Sequence, residues 1–421
     1  MTAVQPRRST AGAVYAVLAL LGLLAALTGC GGVAHKPARP AADTAVQQLL
    51  DRQAAAVRQH DQRAFLAGVD PRSTRFLADQ RRMFGNLAQV PLADWSYRLV
   101  RTGAFPLPPA AAADGTRRTG AQVELRYRLR GYDAQPVVST SYLTLTQRAG
   151  RWYVAADDEG ASAGLRSAVQ LWDQGKVTVV RGARSLVLGL GDTKTLRGYA
   201  ADADEAVPQV QHAWGRAGWP GTVVIEAPRT LGQLGELLAA NPADYQGIAA
   251  VTTGELGGSA QAPADRVIVN PAAFGELSAF GRQVVLTHET THVATRSATS
   301  AHTPLWLSEG FADWVAYRDA GRTAPEIAPE LAKDVTAGHL PATLPADADF
   351  RPTSTALAQA YEGGWLACRM IADQWSPAQL TALYRAAAAG TPLDTLLHST
   401  LHVSLADFTS RWRTYVQQEL A

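Results

Sequence analysis

The residues best placed to do chemistry are in the run His288-Glu289-Thr290-Thr291-His292, preceded by the apolar Val284-Val285-Leu286 and followed by Val293-Ala294. On a helix, residues four apart sit one turn above each other, so both imidazoles can reach a single ion at about 2.0–2.1 Å. Glu289 falls beside that face rather than on it. It is positioned to take a proton from an attacking water instead of ligating the ion. Catalytic zinc normally takes three protein ligands and keeps one position open, so this pattern predicts a third ligand elsewhere.

The string Trp306-Leu307-Ser308-Glu309-Gly310-Phe311-Ala312-Asp313-Trp314 offers one. The chain from Val293 to Ser308 is long enough to leave the first helix, turn at Thr303-Pro304 and return as a second helix. His302 and Asp313 are rival third ligands. The string resembles the second motif of the gluzincin zinc peptidases, especially the branch containing the neutral aminopeptidases. That resemblance implies Zn²⁺ held by His288, His292 and Glu309, with Glu289 as the base. Asp313 lies one turn beyond Glu309, where thermolysin-like relatives carry an aspartate that bonds the free nitrogen of a ligand histidine. Ala360-Tyr361-Glu362-Gly363-Gly364-Trp365 resembles the string that follows the glutamate ligand in aminopeptidase-like members, and implies that the Tyr361 hydroxyl steadies the oxyanion. Tyr361 can also be read as the start of a core helix, and Tyr317 is then the next candidate.

The resemblance spans roughly residues 165–421 and is tight only at these three strings. Thr295 and Ala298 stand where the metzincin branch needs Gly and His, which excludes that branch. The Gly-x-Met-Glu-Asn string that grips a substrate amino terminus in aminopeptidases is absent, since Met occurs only as Met1, Met83 and Met370. Endopeptidase action on a peptide or protein substrate fits as well as exopeptidase action. Gly254-Glu255-Leu256-Gly257-Gly258 reads as a flap or substrate edge. A catalytically inactive zinc-binding scaffold or binding protein of the cell envelope is the rival function.

Several elements must position these residues. From Thr44 to Gln89 the apolar spacing is helical, broken near Asp70-Pro71. Val123, Leu125, Tyr127 and Leu129 then alternate with Glu124, Arg126, Arg128 and Arg130, predicting a strand with one core face and one solvated face. Strands are also expected around Ser139–Gln147 and Trp152–Ala155. Together these form a small α+β unit over 44–160 that resembles the cone-shaped domains related to nuclear transport factor 2. Past Ala161 the pattern predicts strands at Lys176–Val180, Ser185–Leu190, Thr222–Glu226 and Arg266–Asn270. Helices are expected at Lys194–Ala217 and Leu231–Ala240, with a mainly helical remainder. The fold class expected is α+β, a zincin-like domain over 161–421 in which a mixed sheet packs on the zinc helix. Phe105–Ala113 and Gly338–Pro352 read as loops.

The first thirty residues look like a secretory signal: Arg7-Arg8, an apolar run from Ala11 to Leu27, then Leu27-Thr28-Gly29-Cys30. That ending resembles the lipobox of bacterial lipoproteins and implies a lipid on Cys30, with 31–43 as a flexible tether. The expected location is extracytoplasmic, lipid-anchored to the bacterial plasma membrane; a transmembrane span is the alternative. Cys368 is the only other cysteine and sits in an apolar run, so it reads as a buried core residue. With a net charge of +2 over 421 residues and no dense Lys/Arg block, nothing points to a nucleic-acid partner. Oligomeric state is not legible.

Overall fold

The computed structural model describes residues 41–107, 116–216, 218–253, 265–351 and 353–421. The leader with Cys30, most of the tether and the Gly-rich string 254–258 lie outside the described residues. The fold is mixed α/β, and residues Ala41–Ala421 form one compact unit.

Helices α1 (Ala41–Arg58), α2 (Gln62–Leu66) and α3 (Thr74–Asn86) open it. The helical spacing is interrupted at two places. His60 adopts a left-handed φ of 56° and Asp61 caps α2 by accepting the Ala64 N–H at 2.9 Å; the second break is the one expected at Asp70-Pro71. Strands β1 (Leu92–Thr102), β2 (Arg117–Leu129), β3 (Val137–Arg148) and β4 (Arg151–Ala156) then form an antiparallel meander in sequence order. On β2, Val123, Leu125, Tyr127 and Leu129 are buried as the alternation requires. Strand β1 carries no clean alternation: its fully buried positions are Trp95 and Leu99, four apart, with Tyr97 only half-buried between them. Val46, Leu49 and Leu50 of α1 pack on Leu99, Val123, Leu145 and Val154.

After α4 (Leu171–Gln174), a second sheet is built from β5 (Thr178–Arg181), β6 (Ser185–Gly189), β7 (Val223–Ala227), β8 (Ala250–Thr252) and β9 (Val267–Val269). Its order is β5-β6-β7-β9-β8; β6, β7 and β9 run parallel, and the two outer strands are antiparallel to their neighbours. Helix α5 (Thr193–Trp214) makes the crossover from β6 to β7, and α6 (Leu231–Leu238) follows β7. The central strands are apolar without alternation because both faces are covered. Leu186, Leu188 and Val224 share a core with Trp95, Leu125, Tyr127 and Trp172. Val187, Val223, Ile225, Val267 and Val269 face a second core with the helices. The short β8 leaves no signal in the sequence, since three residues carry no period.

The rest is helical: α7 (Pro271–Glu276), α8 (Ala279–Thr295), α9 (Leu305–Tyr317), α10 (Ala324–Ile327), α11 (Pro329–Thr336), α12 (Leu357–Gln374), α13 (Pro377–Ala387), α14 (Leu393–Leu401) and α15 (Leu405–Leu420). The stretch expected as loop from Gly338 contains one 3-10 turn, Asp347–Phe350. Among the described residues, no helix is long and apolar enough to cross a membrane.

Candidate metal centre

Helix α8 starts at Ser278, whose hydroxyl accepts the Gly281 N–H at 3.1 Å. It is buried on most sides, packed against α5, α9 and β8. Its threonines are accommodated by bonding backwards: Thr287 Oγ1 donates to the Gln283 carbonyl and Thr291 Oγ1 to the Thr287 carbonyl, each at 2.8 Å. Helix α9 returns beside it after Pro304. The buried Tyr384 hydroxyl of α13 ties the two ends together, lying 3.2 Å from Thr295 Oγ1, 2.8 Å from Thr299 Oγ1 and 3.3 Å from Ser308 Oγ.

This arrangement brings His288, His292 and Glu309 together. The two Nε2 atoms are 2.9 Å apart, and Glu309 Oε2 is 3.3 Å from His288 Nε2 and 3.4 Å from His292 Nε2. A tetrahedral ion with ligands at about 2.0–2.1 Å demands ligand separations of about 3.3 Å, so a near-equilateral triangle of this size fits zinc. Two imidazoles and one carboxylate are also the donor set that zinc prefers. Asp313, one turn along α9, places Oδ1 2.7 Å from His288 Nδ1. With the carboxylate accepting from Nδ1–H, the Nε2 lone pair is directed into the triangle.

The imidazoles and carboxylates of the site perturb one another strongly. Burial pushes the His288 imidazolium down, but the Asp313 and Glu309 carboxylates outweigh it and hold the group well above the usual histidine range. Burial likewise pushes Glu309 up, yet His292 and His288 hold it well below the usual carboxylate range. Each shift means that positive charge is drawn into the triangle.

Glu289 is buried next to His288. Its Oε2 accepts a hydrogen bond from Thr252 Oγ1 at 2.6 Å, and the same hydroxyl lies 3.2 Å from the Glu289 carbonyl. Thr252 ends the edge strand β8, and no sequence signal marked it. Tyr361 lies on α12 with its ring centroid 6.4 Å from that of His288 and packs edge-on against Phe350 at 5.2 Å. Tyr317 instead faces Trp365 and Phe280. His302 is exposed, its ring against Gly390, and the triangle forms without it. Cys368 is buried, and burial pushes its thiol up, out of the reactive range.

Two glycines set the spacing of α9 and α12. A Cβ on Gly310 would stand 2.2 Å from the Gly364 carbonyl oxygen, and one on Gly364 would stand 2.8 Å from the Trp306 carbonyl oxygen. The helices therefore meet backbone to backbone beside Glu309. Glu362 anchors α12 from the other side by accepting the Leu331 N–H at 2.6 Å and the Glu330 N–H at 3.2 Å at the start of α11.

No family model and no curated protein matches the chain. Among solved structures it is similar to a two-domain M1 zinc metallopeptidase, crystallised as a glutamate-to-alanine mutant with L-arginine, at 14% identity and a TM-score of 0.33. The glutamate-to-alanine mutant of an M1 zinc metallopeptidase from Deinococcus radiodurans matches at 14% identity and a TM-score of 0.32. In both cases the match covers 73% of this chain and 62% of the other, so the chain spans less than two thirds of the structures it matches. The chemistry of the site has to be read from its own geometry.

Proposed function

We propose that the protein is a zinc-dependent peptidase of the gluzincin type, exported and held outside a bacterial plasma membrane by a lipid on Cys30. The observation that carries the catalytic part is the convergence of His288 Nε2, His292 Nε2 and Glu309 Oε2 within 3.4 Å of one another, with Asp313 fixing the His288 tautomer. These three groups would hold a zinc ion, which would supply Lewis acidity toward a scissile carbonyl and its attacking water. Glu289 is the general base: Thr252 occupies its Oε2, and the other oxygen receives the proton from water and passes it to the leaving amine. Tyr361, beside His288, donates its hydroxyl to the oxygen on which negative charge develops. Asp313 and Thr252 do no bond chemistry themselves; they hold a ligand and the base in position.

The test is Glu289→Gln assayed against a quenched-fluorescent peptide library, with zinc content measured alongside. The native chain should cleave, chelator should stop it, and the Gln variant should keep zinc and fold while losing turnover. Cleavage by the variant at the native rate would remove Glu289 from the mechanism. For the anchor, Cys30→Ala should release the protein from the membrane fraction, and undiminished retention would count against lipidation.

A further inference from the structure

The last turn of α8 also borders a cavity of about 760 Å³ that the proposed catalytic machinery does not use. Val293, Arg296 and Ser297 line it together with residues of the first sheet, Arg98 of β1 and Arg126 of β2 among them. This is the arginine-bearing face of β2 that the alternation assigned to solvent. Trp219 and Pro220 add an apolar surface, and the volume lies in the range of sites that enclose several ligand groups.

Most of the charge lining this cavity is already engaged. Arg266 makes two hydrogen bonds of 2.8 Å to the carboxylate of Asp133, and Arg98 is paired in a fork with Glu124. Arg296 is ion-paired with Asp265, but its Nε and Nη2 are buried and have no acceptor in hydrogen-bonding geometry. Asp265 Oδ1 stands 3.4 Å from that Nε but out of bonding geometry, and is itself without a donor. Guanidinium N–H groups removed from water without an acceptor favour an anion that can enter and accept them. Arg126, its side chain 42% exposed and 3.9 Å from Glu124, adds a second cation at the mouth. Arg296 stands at the C-cap of α8, four residues after His292.

We propose that this cavity is a carboxylate-binding subsite, in which Arg296, assisted by Arg126, holds an acidic side chain or the terminal carboxylate of the bound peptide. It rests on the peptidase reading for the ligand being a peptide, and it gives the N-terminal sheet a part in substrate selection.

The probes are three fluorescein-labelled octapeptides: one with a central Glu-Glu and an amidated end, its Gln-Gln counterpart, and the Gln-Gln peptide with a free carboxylate. Binding is read by anisotropy on the full chain carrying Glu289→Gln, so that turnover does not interfere. The Glu-Glu peptide, the free-carboxylate peptide or both should bind about tenfold or more tightly than the neutral one, the usual scale for a charge-assisted pair, and added salt should erode the difference. Which of the two gains identifies the carboxylate. Arg296→Gln should abolish the preference while leaving the neutral peptide unaffected, Arg296→Lys should keep part of it, and Arg126→Gln should reduce it. Equal binding of all three peptides, or a preference that survives Arg296→Gln, overturns the subsite. Should Arg296→Gln fail to fold by circular dichroism, the Lys variant and the exposed Arg126 variant decide. Hydrolysis by the native chain is scored separately. A retained preference without hydrolysis rejects only the peptidase reading, and hydrolysis without preference rejects only the subsite.

Discussion

Replacing Gly310 with alanine should disable the metal centre without touching any atom proposed to bind metal. The added Cβ would lie 2.2 Å from the Gly364 carbonyl oxygen and 2.3 Å from its carbon. Neither partner can rotate away, because both belong to helix backbone. Helices α9 and α12 must therefore part by about 1 Å, and overpacking of this kind costs ~1–3 kcal/mol. For a chain of this size that is a fall in Tm of about 1–4 °C. The effect on the metal should be sharper. Glu309, the preceding residue, holds Oε2 3.3 and 3.4 Å from the two imidazole nitrogens, and metal–ligand distances tolerate only about 0.2 Å of error. Zinc affinity should drop at least about tenfold, comparable with losing a group that orients a ligand. Thermal melts with zinc and with chelator, together with a competition titration against a chromophoric chelator, would measure both. Gly198→Ala in α5 is the control: its Cβ meets nothing within 4 Å, so it should be neutral or stabilising by ~0.5–1 kcal/mol. If Gly310→Ala melts and binds zinc like the native chain, the backbone contact does not set the position of Glu309 and the reasoning fails.

Asp313→Asn should leave all three ligands in place yet lower zinc affinity about 10–100-fold, read by the same competition titration, because the His288 tautomer loses its acceptor. Glu309→Ala should abolish zinc binding and peptide cleavage, whereas His302→Ala, on an exposed ring outside the triangle, should change neither; the reverse ranking in a metal assay would return His302 as ligand. Tyr361→Phe should reduce kcat by roughly 10²–10³-fold with little change in KM or zinc content, and near-native kcat would reassign the residue to packing. Asp265 carries a pH-dependent cost. Burial pushes its carboxyl up to about 6, above its unfolded value, so the folded state is penalised as pH rises past the unfolded pKa, with the full penalty reached above about pH 6. Asp265→Asn should therefore stabilise the protein by ~2–3 kcal/mol near pH 8, with the gain shrinking toward pH 4 in urea denaturation. A gain independent of pH would rule out ionisation as its source.

The long, periodic elements were legible in the sequence for a simple reason: burial on one side leaves a period of two or 3.6 in the apolar residues. The alternation from Val123 to Leu129 appears as the buried face of β2, and the apolar runs at Ser185–Gly189 and Val223–Ala227 appear as central strands. Elements too short or too mixed to carry a period were not legible. Strand β8 has three residues, and β1 spaces its fully buried residues four apart. The break at His60 is silent in the sequence because a left-handed residue other than glycine carries no compositional mark.

Within the site, the sequence by itself determined which groups share a helix: the four-residue spacings His288–His292 and Glu309–Asp313 put each pair on one face through the geometry of a single backbone. What no local spacing contains is the distance between helices. Only the tertiary structure decided that Glu309 reaches both imidazoles, through the Tyr384 hydroxyl network and the glycine contact of α9 with α12. It also placed Thr252, 37 residues upstream, on the carboxylate of Glu289, and set the guanidinium of Arg296 against a sheet that begins at Leu92, about two hundred residues earlier in the chain. Such contacts depend on packing across the whole core, where each neighbour is chosen by shape and volume rather than by position along the chain.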